Sequence, residues 1–215
     1  VLFDSNAKTQ VLSALDTKSI DSEGYRTIRA NLQYINVDDP IRAFVVTSAA
    51  PGDGKTTVAC NLAIALAQAG KRVCLVDADL RRPRVSEYLQ VNPGAGLTEV
   101  LAGQVSLNDA LQGWGRDMFQ VLPPGAIPPN PSELLGSHQM AQVVANLKRQ
   151  FDVVILDTPP LLAVSDAAVL ASQADGAVIV VRYGKSSRDA VCKAVASLEQ
   201  INAKVLGTVL NAIPA

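Results

Sequence analysis

The chain alternates between short apolar runs and longer segments whose apolar residues recur at helical spacing. Six runs are rich in β-branched residues and predict strands at 43–47, 73–77, 119–122, 153–157, 177–181 and 205–210. Apolar character is continuous within each run, which is typical of strands buried on both faces of a parallel sheet. The intervening segments predict helices at 56–69, 97–102, 138–150, 167–172 and 188–201. This pattern predicts an α/β fold, a single domain with a doubly wound, mostly parallel sheet.

Two segments fall outside this pattern. Residues 1–20 are polar and irregular and are expected to form a linker or the remnant of a tether, ahead of one domain at 21–215. The stretch LPPGAIPPNPSELL at 122–135 is rich in proline and leads into a helix that begins near Asn130 or Ser132. A rigid surface loop and a regulatory or substrate-proximal role are both open for it.

Composition narrows the classes of function. Of 215 residues, 48% are hydrophobic and 18% are charged, which is typical of a globular domain rather than a disordered chain. The net charge is -1 and aromatic residues make up 4%, so we expect no nucleic-acid partner. Cys60, Cys74 and Cys192 have apolar neighbours and are expected to pack in the core in reduced form. No apolar run approaches the ~18 residues that span a bilayer.

The stretch SAAPGDGKTT at 48–57 lies between a predicted strand and a predicted helix, the context of a phosphate-binding loop. Gly52 and Gly54, on either side of Asp53, allow the backbone angles that turn successive N–H groups toward an anion. Ala49 replaces the usual first glycine of the motif, and its small side chain makes the change tolerable. The loop therefore predicts a nucleotide-binding protein of the P-loop NTPase type.

Three side chains after the glycines complete the predicted nucleotide site. Lys55 is expected to reach the β- and γ-phosphates, and the Thr56 hydroxyl is expected to bind Mg²⁺. Thr57 adds a hydroxyl contact to the α-phosphate. The helix that begins near Lys55 contributes its N-terminal dipole. The expected ligands are ATP or ADP together with Mg²⁺.

Acidic residues end two of the predicted strands. VILDTPP places Asp157 at the end of one, and VCLVDADLRRP places Asp77 and Asp79 at the end of another. Ligands of open parallel sheets bind beyond the carboxyl ends of the strands, so all three carboxylates are expected to converge on the loop. Mg²⁺ takes one or two carboxylates in such sites, which leaves one to accept a proton from an incoming hydroxyl.

Several motifs together resemble the bacterial tyrosine kinases, the cytoplasmic domains of capsule and exopolysaccharide chain-length regulators. VDADLRRP is similar to their Asp-x-Asp-x-Arg element, and SEGYRTIRANLQY to their Glu-x-x-Arg-x-x-Arg oligomerisation motif. The segments at 96–103, 123–137 and 205–211 also resemble the family. The resemblance covers about residues 20–213, nearly all of the chain.

The resemblance implies an ATP-dependent protein-tyrosine kinase that phosphorylates itself in trans on a C-terminal tyrosine cluster and regulates capsule or exopolysaccharide synthesis and export. It implies that Lys55 stabilises the transferring phosphoryl group and that Asp77 orients or deprotonates the tyrosine hydroxyl. It further implies that Thr56, Asp79 and Asp157 act on Mg²⁺, directly or through water.

Two further positions stay open. The resemblance places Asn211 at the adenine, whereas an asparagine at a strand end is as typical of a turn. Arg81 follows Asp79 as the arginine of the motif, and either phosphate contact or structural pairing is compatible with it.

The spacing of Glu23, Arg26 and Arg29 puts these side chains along one helix face. Chemistry alone favours a solvated face with an internal Glu–Arg pair worth little. The resemblance instead implies contacts between subunits of a homo-oligomeric ring. It also implies a membrane activator or a fused transmembrane chain-length domain as partner, and a location in the cytoplasm at the inner face of the bacterial membrane.

Two alternatives use the same loop. A partition or division-site type ATPase typically carries a signature lysine near the start of the loop, where this chain has Ala50. A nucleotide-sensing regulator of polysaccharide assembly would need no catalysis, although every catalytic residue type is present.

The acceptor tyrosines of the family are not matched. The chain has four scattered tyrosines, and Tyr25 and Tyr34 are expected to pack along the first helix, whereas the family ends in a tyrosine cluster. The resemblance therefore leaves open a removed tail or other protein substrates.

Overall fold

A computed structural model describes residues 20–35, 40–116 and 118–213, with side chains from residue 23 onward. The predicted linker at 1–20 lies almost wholly outside the described residues. The described strands are β1 (Ala43–Ser48), β2 (Val73–Asp77), β3 (Gln112–Trp114), β4 (Phe119–Leu122), β5 (Val153–Asp157), β6 (Ala177–Arg182) and β7 (Val205–Asn211). The described helices are α1 (Ile20–Tyr34), α2 (Lys55–Gln68), α3 (Val85–Leu89), α4 (Leu97–Leu101), α5 (Leu107–Ala110), α6 (Pro131–Leu135), α7 (His138–Gln150), α8 (Asp166–Gln173) and α9 (Arg188–Glu199).

The strands form one sheet in the order β3-β4-β2-β5-β1-β6-β7. Every neighbouring pair is parallel except β3 with β4, which is antiparallel at the edge of the sheet. The predicted α/β fold with a mostly parallel sheet is therefore confirmed, and β3 is the strand that sequence analysis missed. β1 lies between β5 and β6, so the chain that leaves β1 enters the middle of the carboxyl edge.

Apolar side chains cover both faces of the sheet, as the continuous apolar runs predict. One face packs against α4, α6, α7, α8 and α9, and its core includes Val45, Leu97 and Leu147. The other face packs against α1, α2 and α3, and its core includes Phe44 and Ile64. The sheet is thus a middle layer between helices, and only its edges reach solvent.

The helix α2 is the most deeply enclosed element of the second layer, and its residues from Thr57 to Leu66 are all buried. A helix buried on all sides needs apolar residues around its whole circumference, and its sequence KTTVACNLAIALAQ has them. Gly70 ends the segment with a positive φ of 78°, a conformation that glycine often adopts just after a helix. The phosphate loop is therefore anchored to a rigid helix.

Two packing predictions were wrong. Cys60 and Cys74 are buried, but Cys192 is exposed on α9, because it lies on the outer face of that helix. Tyr25 is buried against α2, whereas Tyr34 ends α1 with 78% of its side chain exposed. Apolar neighbours in sequence therefore do not settle which face of a helix a residue occupies.

Candidate active site

The phosphate loop connects β1 to α2 at the carboxyl edge of the sheet. Gly52 has a φ of 80°, and Gly54, the residue that caps α2, has a φ of 94°. Among the described residues of the loop, positive φ is confined to these two glycines. Ala49 is buried beneath the loop and needs no glycine backbone. The prediction that alanine is tolerable at this position agrees with the geometry.

The first turn of α2 points its polar side chains at the strand ends. The Thr56 hydroxyl donates to Oδ2 of Asp157 at 2.6 Å. Asp157 ends β5, and its Cα pairs with that of Val46 on β1, which explains the approach. Both the N–H and the hydroxyl of Thr158 donate to the Val46 carbonyl, so the two strand ends are fastened together. Lys55 is also buried, with 8% of its surface exposed.

The two aspartates after β2 lie in different settings. Asp77 is fully buried opposite Asp157 on the neighbouring strand, and its Oδ2 accepts from the Val85 N–H at 3.0 Å. Asp79 is partly exposed, and its Oδ1 accepts from the N–H groups of Arg81 and Arg82. Asp79 therefore faces the open cleft, and Asp77 lies behind it.

The buried carboxylates lack partners that would stabilise their ionised forms. Burial raises the pKa of Asp157 to about 7, although the Thr56 hydroxyl and the Lys55 ammonium oppose the rise. Burial and the charge of Asp157 raise the pKa of Asp77 well above its ordinary value. Among the described residues, Oδ1 of Asp77 and Oδ1 of Asp157 are buried without a hydrogen-bond partner. A cation is the missing partner for such groups.

Mg²⁺ fits this donor set. Among the described residues no cluster of three or more His, Cys, Asp or Glu side chains is arranged to hold a metal ion alone. Mg²⁺ at nucleotide sites keeps waters and phosphate oxygens and needs only one or two carboxylates from protein. Thr56 with Asp157, and Asp79 at the cleft wall, supply oxygen atoms of that kind, and Oδ1 of Asp157 has no hydrogen-bond partner among the described residues.

A cleft of about 480 Å³ opens in front of the loop. Its lining runs from the loop glycines past Asp79 to a group of arginines, a tyrosine and two prolines. The members of that second part are Arg81, Arg82, Arg84, Tyr88, Pro159 and Pro160. The phosphate loop and a cationic wall therefore share one cleft.

Arg81 is held in a structural pairing, one of the two possibilities left open by the sequence. Its Nε donates to Oδ2 of Asp166 at 2.8 Å, and its Nη2 donates to Oδ1 of Asp166 and to the Ser132 hydroxyl. Asp166 starts α8 and is fully buried, and Ser132 lies in α6. Sequence reasoning missed Asp166 and Ser132, since no motif pairs them with Arg81.

The proline-rich segment at 122–135 is packed rather than loose. Pro123 and Pro124 are buried, and their carbonyls accept from the first N–H groups of α4. Glu99 of α4 accepts from the Ala126 N–H at 3.0 Å. Ser132 then brings the segment to Arg81 at the cleft wall. The segment is thus packed against the domain and reaches the cleft wall through its contact with Arg81.

Asn211 lies at the site but contacts the loop itself. Its Nδ2 donates to the Asp53 carbonyl at 3.0 Å. A Cβ atom on Gly54 would collide with the same amide group, so a side chain there would displace Asn211 as well as strain the positive φ. The adenine contact predicted for Asn211 stays a prediction.

The predicted oligomerisation residues Glu23, Arg26 and Arg29 lie on α1, which packs in the same helical layer as α2. Arg26 pairs with Glu23 at 2.7 Å, which is the internal pair that chemistry alone favours. Nη1 of Arg29 donates to the Ala65 carbonyl of α2 at 3.2 Å. Arg29 therefore fastens α1 to the helix that carries the phosphate loop, and Glu23 is exposed.

Known proteins resemble this chain over most of its length. A family model described as an AAA domain matches residues 41–210. Tyrosine-protein kinase YwqD of Bacillus subtilis is 42% identical over 207 residues, which cover 96% of this chain and 87% of that protein. Tyrosine-protein kinase Etk of Escherichia coli K12 is 37% identical over 191 residues, covering 89% of this chain and 26% of Etk. The chain thus spans about a quarter of the length of Etk.

Solved structures that include a tyrosine kinase domain and a cell division ATPase share this fold. The kinase domain of the Escherichia coli tyrosine kinase ETK matches with a TM-score of 0.91 at 35% identity, covering 94% of this chain and 80% of that one. The chimerical protein CapA2B2 also gives 0.91, at 36% identity, covering 96% and 91%. The cell division ATPase MinD of Pyrococcus furiosus gives 0.68 at 31% identity, covering 79% and 71%.

Proposed function

We propose that this chain, which belongs to the AAA-domain family and to the bacterial tyrosine kinases, transfers the γ-phosphoryl group of ATP to protein tyrosine. The observation that carries the proposal is the Thr56–Asp157 contact at 2.6 Å beneath a phosphate loop that opens on a roomy cleft. A phosphoryl transfer needs the nucleotide and the acceptor in one cleft, and we propose that both bind here.

We propose residues for phosphate binding, for charge stabilisation and for holding Mg²⁺. The N–H groups of the loop and the N-terminus of α2 would bind the phosphates, and Lys55 would offset charge on the transferring group. Mg²⁺, when bound, neutralises charge on the phosphate oxygens. Thr56, Asp157 and Asp79 would hold it. These residues need no large rearrangement, since α2 and β5 already bring Thr56 and Asp157 into contact.

The acceptor tyrosine enters from the solvent side of the cleft in this proposal. Asp79 lines the cleft, so its carboxylate is placed to accept a hydrogen bond from the phenol. Asp77 is buried behind Asp79, so its proposed effect on the tyrosine hydroxyl is indirect. A loose transition state requires little removal of the phenol proton before transfer, so orientation suffices.

The setting of the reaction is also a proposal. The kinase would regulate capsule or exopolysaccharide synthesis and export at the inner face of the membrane, with a membrane activator or a fused membrane domain as partner. A homo-oligomeric ring through Glu23, Arg26 and Arg29 would present tyrosines of one subunit to the next. In the described part of the chain, no helix is both long and apolar enough to cross a bilayer.

The first test is a phosphotransfer assay with Mg-ATP and a random copolymer of glutamate and tyrosine. Phosphotyrosine is located by mass spectrometry, and ADP release is measured in parallel. We expect phosphotyrosine in the copolymer, and a decrease of at least ~10²-fold for Lys55→Met, because the lysine acts where charge develops. Lys71→Met, which removes an exposed lysine just after α2, is the matched control.

The assay separates the alternatives. ADP release without phosphotyrosine would identify a P-loop ATPase of the partition or division type. Binding of nucleotide with neither product would identify a nucleotide-sensing regulator. Phosphotyrosine that persists in Lys55→Met would show that the chemistry occurs elsewhere.

A further inference from the structure

The outer side of the phosphate loop is held by side chains from the β6–β7 edge of the sheet. Nζ of Lys185 donates to the Pro51 carbonyl at 3.2 Å. Nη1 of Arg182 donates to the next carbonyl, that of Gly52, at 2.9 Å. Both cations approach from outside the cleft. No loop motif predicts them, because they lie about 130 residues further along the chain.

Asn211 continues this series. Its Nδ2 donates to the carbonyl of Asp53, the third in a row. The donors form a compact group because Arg182 and Asn211 are register partners at the ends of β6 and β7. The turn that carries Lys185 is closed by a hydrogen bond from the Arg182 N–H to the Ser186 hydroxyl. Lys185, Arg182 and Asn211 are called the outer clamp below.

The outer clamp determines where the loop N–H groups point. In a trans peptide the N–H of the following residue is opposite to the carbonyl. Carbonyls of residues 51, 52 and 53 that are held outward therefore turn the N–H groups of residues 52, 53 and 54 toward the cleft. Those N–H groups are the donors of a phosphate nest. Gly52 and Gly54 permit this backbone but do not enforce it, since glycine populates many conformations.

The outer clamp is separate from the groups that would touch nucleotide through the cleft. Apart from Asp53, the loop residues from Pro51 to Thr57 line the cleft, whereas Arg182, Lys185 and Asn211 are not part of its lining. A Cβ atom on Gly52 would meet Nζ of Lys185 at 2.7 Å, so the lysine lies directly on the back of the loop. The clamp therefore acts through the loop backbone.

We propose that Arg182, Lys185 and Asn211 are positioning residues that hold the phosphate loop in its nucleotide-binding shape before nucleotide arrives. This inference rests on nucleotide binding by the loop, which is part of the proposed function, and not on kinase activity. The inference also gives a role to a cation on the outer side of the loop. This chain has Ala50 where partition and division-site ATPases carry their signature lysine.

The test measures binding of fluorescent N-methylanthraniloyl-ADP to Arg182→Met and Lys185→Met. We expect each to weaken binding about threefold to tenfold, because each removes a charge-assisted hydrogen bond that is exposed to solvent. Lys185→Arg keeps a donor and is expected to bind within about twofold of the unaltered protein. Arg188→Met is the matched control, since it removes the same charge from an exposed position at the start of α9.

Hydrogen exchange of the nucleotide-free protein provides a second readout. We expect faster exchange in peptides that cover residues 49–58 for Arg182→Met, Lys185→Met and Asn211→Ala, and unchanged exchange in β5. No adenine is present in this measurement, so a base contact by Asn211 has no effect on it. Faster exchange across the whole protein would show a global loss of stability and would overturn the positioning role.

The remaining outcomes are distinct. If the unaltered protein fails to bind the fluorescent ADP, both the proposed function and this inference are wrong. If it binds and the two methionine variants bind equally well, only the outer clamp is wrong. If Arg188→Met weakens binding as much as Arg182→Met, the effect is general electrostatic attraction, and the assignment fails.

Discussion

Two fully buried carboxylates near the cleft, Asp166 and Asp157, differ in their hydrogen-bond partners and in the direction of their pKa shifts. Asp166 is paired with the Arg81 guanidinium and the Ser132 hydroxyl. Burial alone would raise its pKa, but these hydrogen bonds hold the pKa below its ordinary value. Asp157 has only the Thr56 hydroxyl on one oxygen, and burial raises its pKa to about 7. Two carboxylates without solvent exposure therefore have opposite charge preferences.

The difference distinguishes a carboxylate with a structural role from one that is suited to bind a ligand. A buried carboxylate with its cation in place contributes to a fixed wall, here the contact between β2, α6 and α8. A buried carboxylate with an orphaned oxygen is stable as an anion only when a cation arrives from outside. The surface that Arg81 and Asp166 support is thus permanent, whereas the Asp157 site is complete only with its ligand.

The largest expected effect that tests this contrast is the pH dependence of stability without nucleotide and with the metal chelated. The folded pKa of Asp157 is about 7 against an ordinary value of 3.8, so between these values the folded chain holds a proton that the unfolded chain has lost. The free energy of unfolding should therefore fall from about pH 5 to about pH 8, by on the order of 2–4 kcal/mol. Thermal unfolding measures it.

Asp157→Asn is the control for this pH dependence. The amide cannot ionise, so the decrease in stability toward pH 8 should shrink. Asp166 has the opposite sign, since its lowered pKa contributes stability above its unfolded pKa that is lost only as the pH falls through the folded value. Asp166→Asn should therefore remove a loss of stability at acid pH and leave the slope between about pH 5 and pH 8 unchanged. A flat or rising stability of the unaltered protein between about pH 5 and pH 8 would contradict the contrast.

The next effect concerns the wall itself. Arg81→Met leaves Asp166 buried with the Ser132 hydroxyl but without its cation, and should lower the free energy of unfolding by about 2 kcal/mol. For a domain of this length that is a fall in Tm of roughly 4–8 °C. Arg82→Met is the matched control for stability, because Arg82 uses its backbone N–H, at 3.0 Å, to contact Asp79. Equal losses in the two variants would show that Arg81 has no special structural role.

These contrasts also show how far sequence reasoning reaches. The strand Val73–Asp77 and the phosphate loop were predicted because their signals are local: a continuous apolar run, and glycines ahead of a helix. The strand β3 was missed because Gln112–Trp114 is short, half exposed and contains a glycine. An edge strand of this kind carries no periodic signal and forms by pairing with β4.

The partners of the site could not be predicted for a different reason. Asp166 meets Arg81 across 85 positions in sequence, and Arg182 meets Gly52 across 130. Asp166 and Arg182 belong to no motif in their own segments, and only the strand order brings those segments to Arg81 and Gly52. A motif names the residues that face the ligand, whereas the residues that hold the motif in shape appear only in the fold.

The smallest expected effect on stability concerns an exposed carboxylate, that of Glu23. Glu23 pairs with Arg26 at 2.7 Å, but 68% of its side chain is exposed, so Glu23→Gln should change the free energy of unfolding by less than about 0.5 kcal/mol. Glu23 is a cleaner probe of the proposed ring than Arg29, because Arg29 also fastens α1 to α2 through the Ala65 carbonyl. Sedimentation velocity of both proteins, with ADP and Mg²⁺, measures the assembly. We expect Glu23→Gln to shift assembled protein toward monomer at unchanged stability. A sedimentation profile identical to that of an assembled unaltered protein would place the subunit contact elsewhere and leave Glu23 as a solvated surface residue.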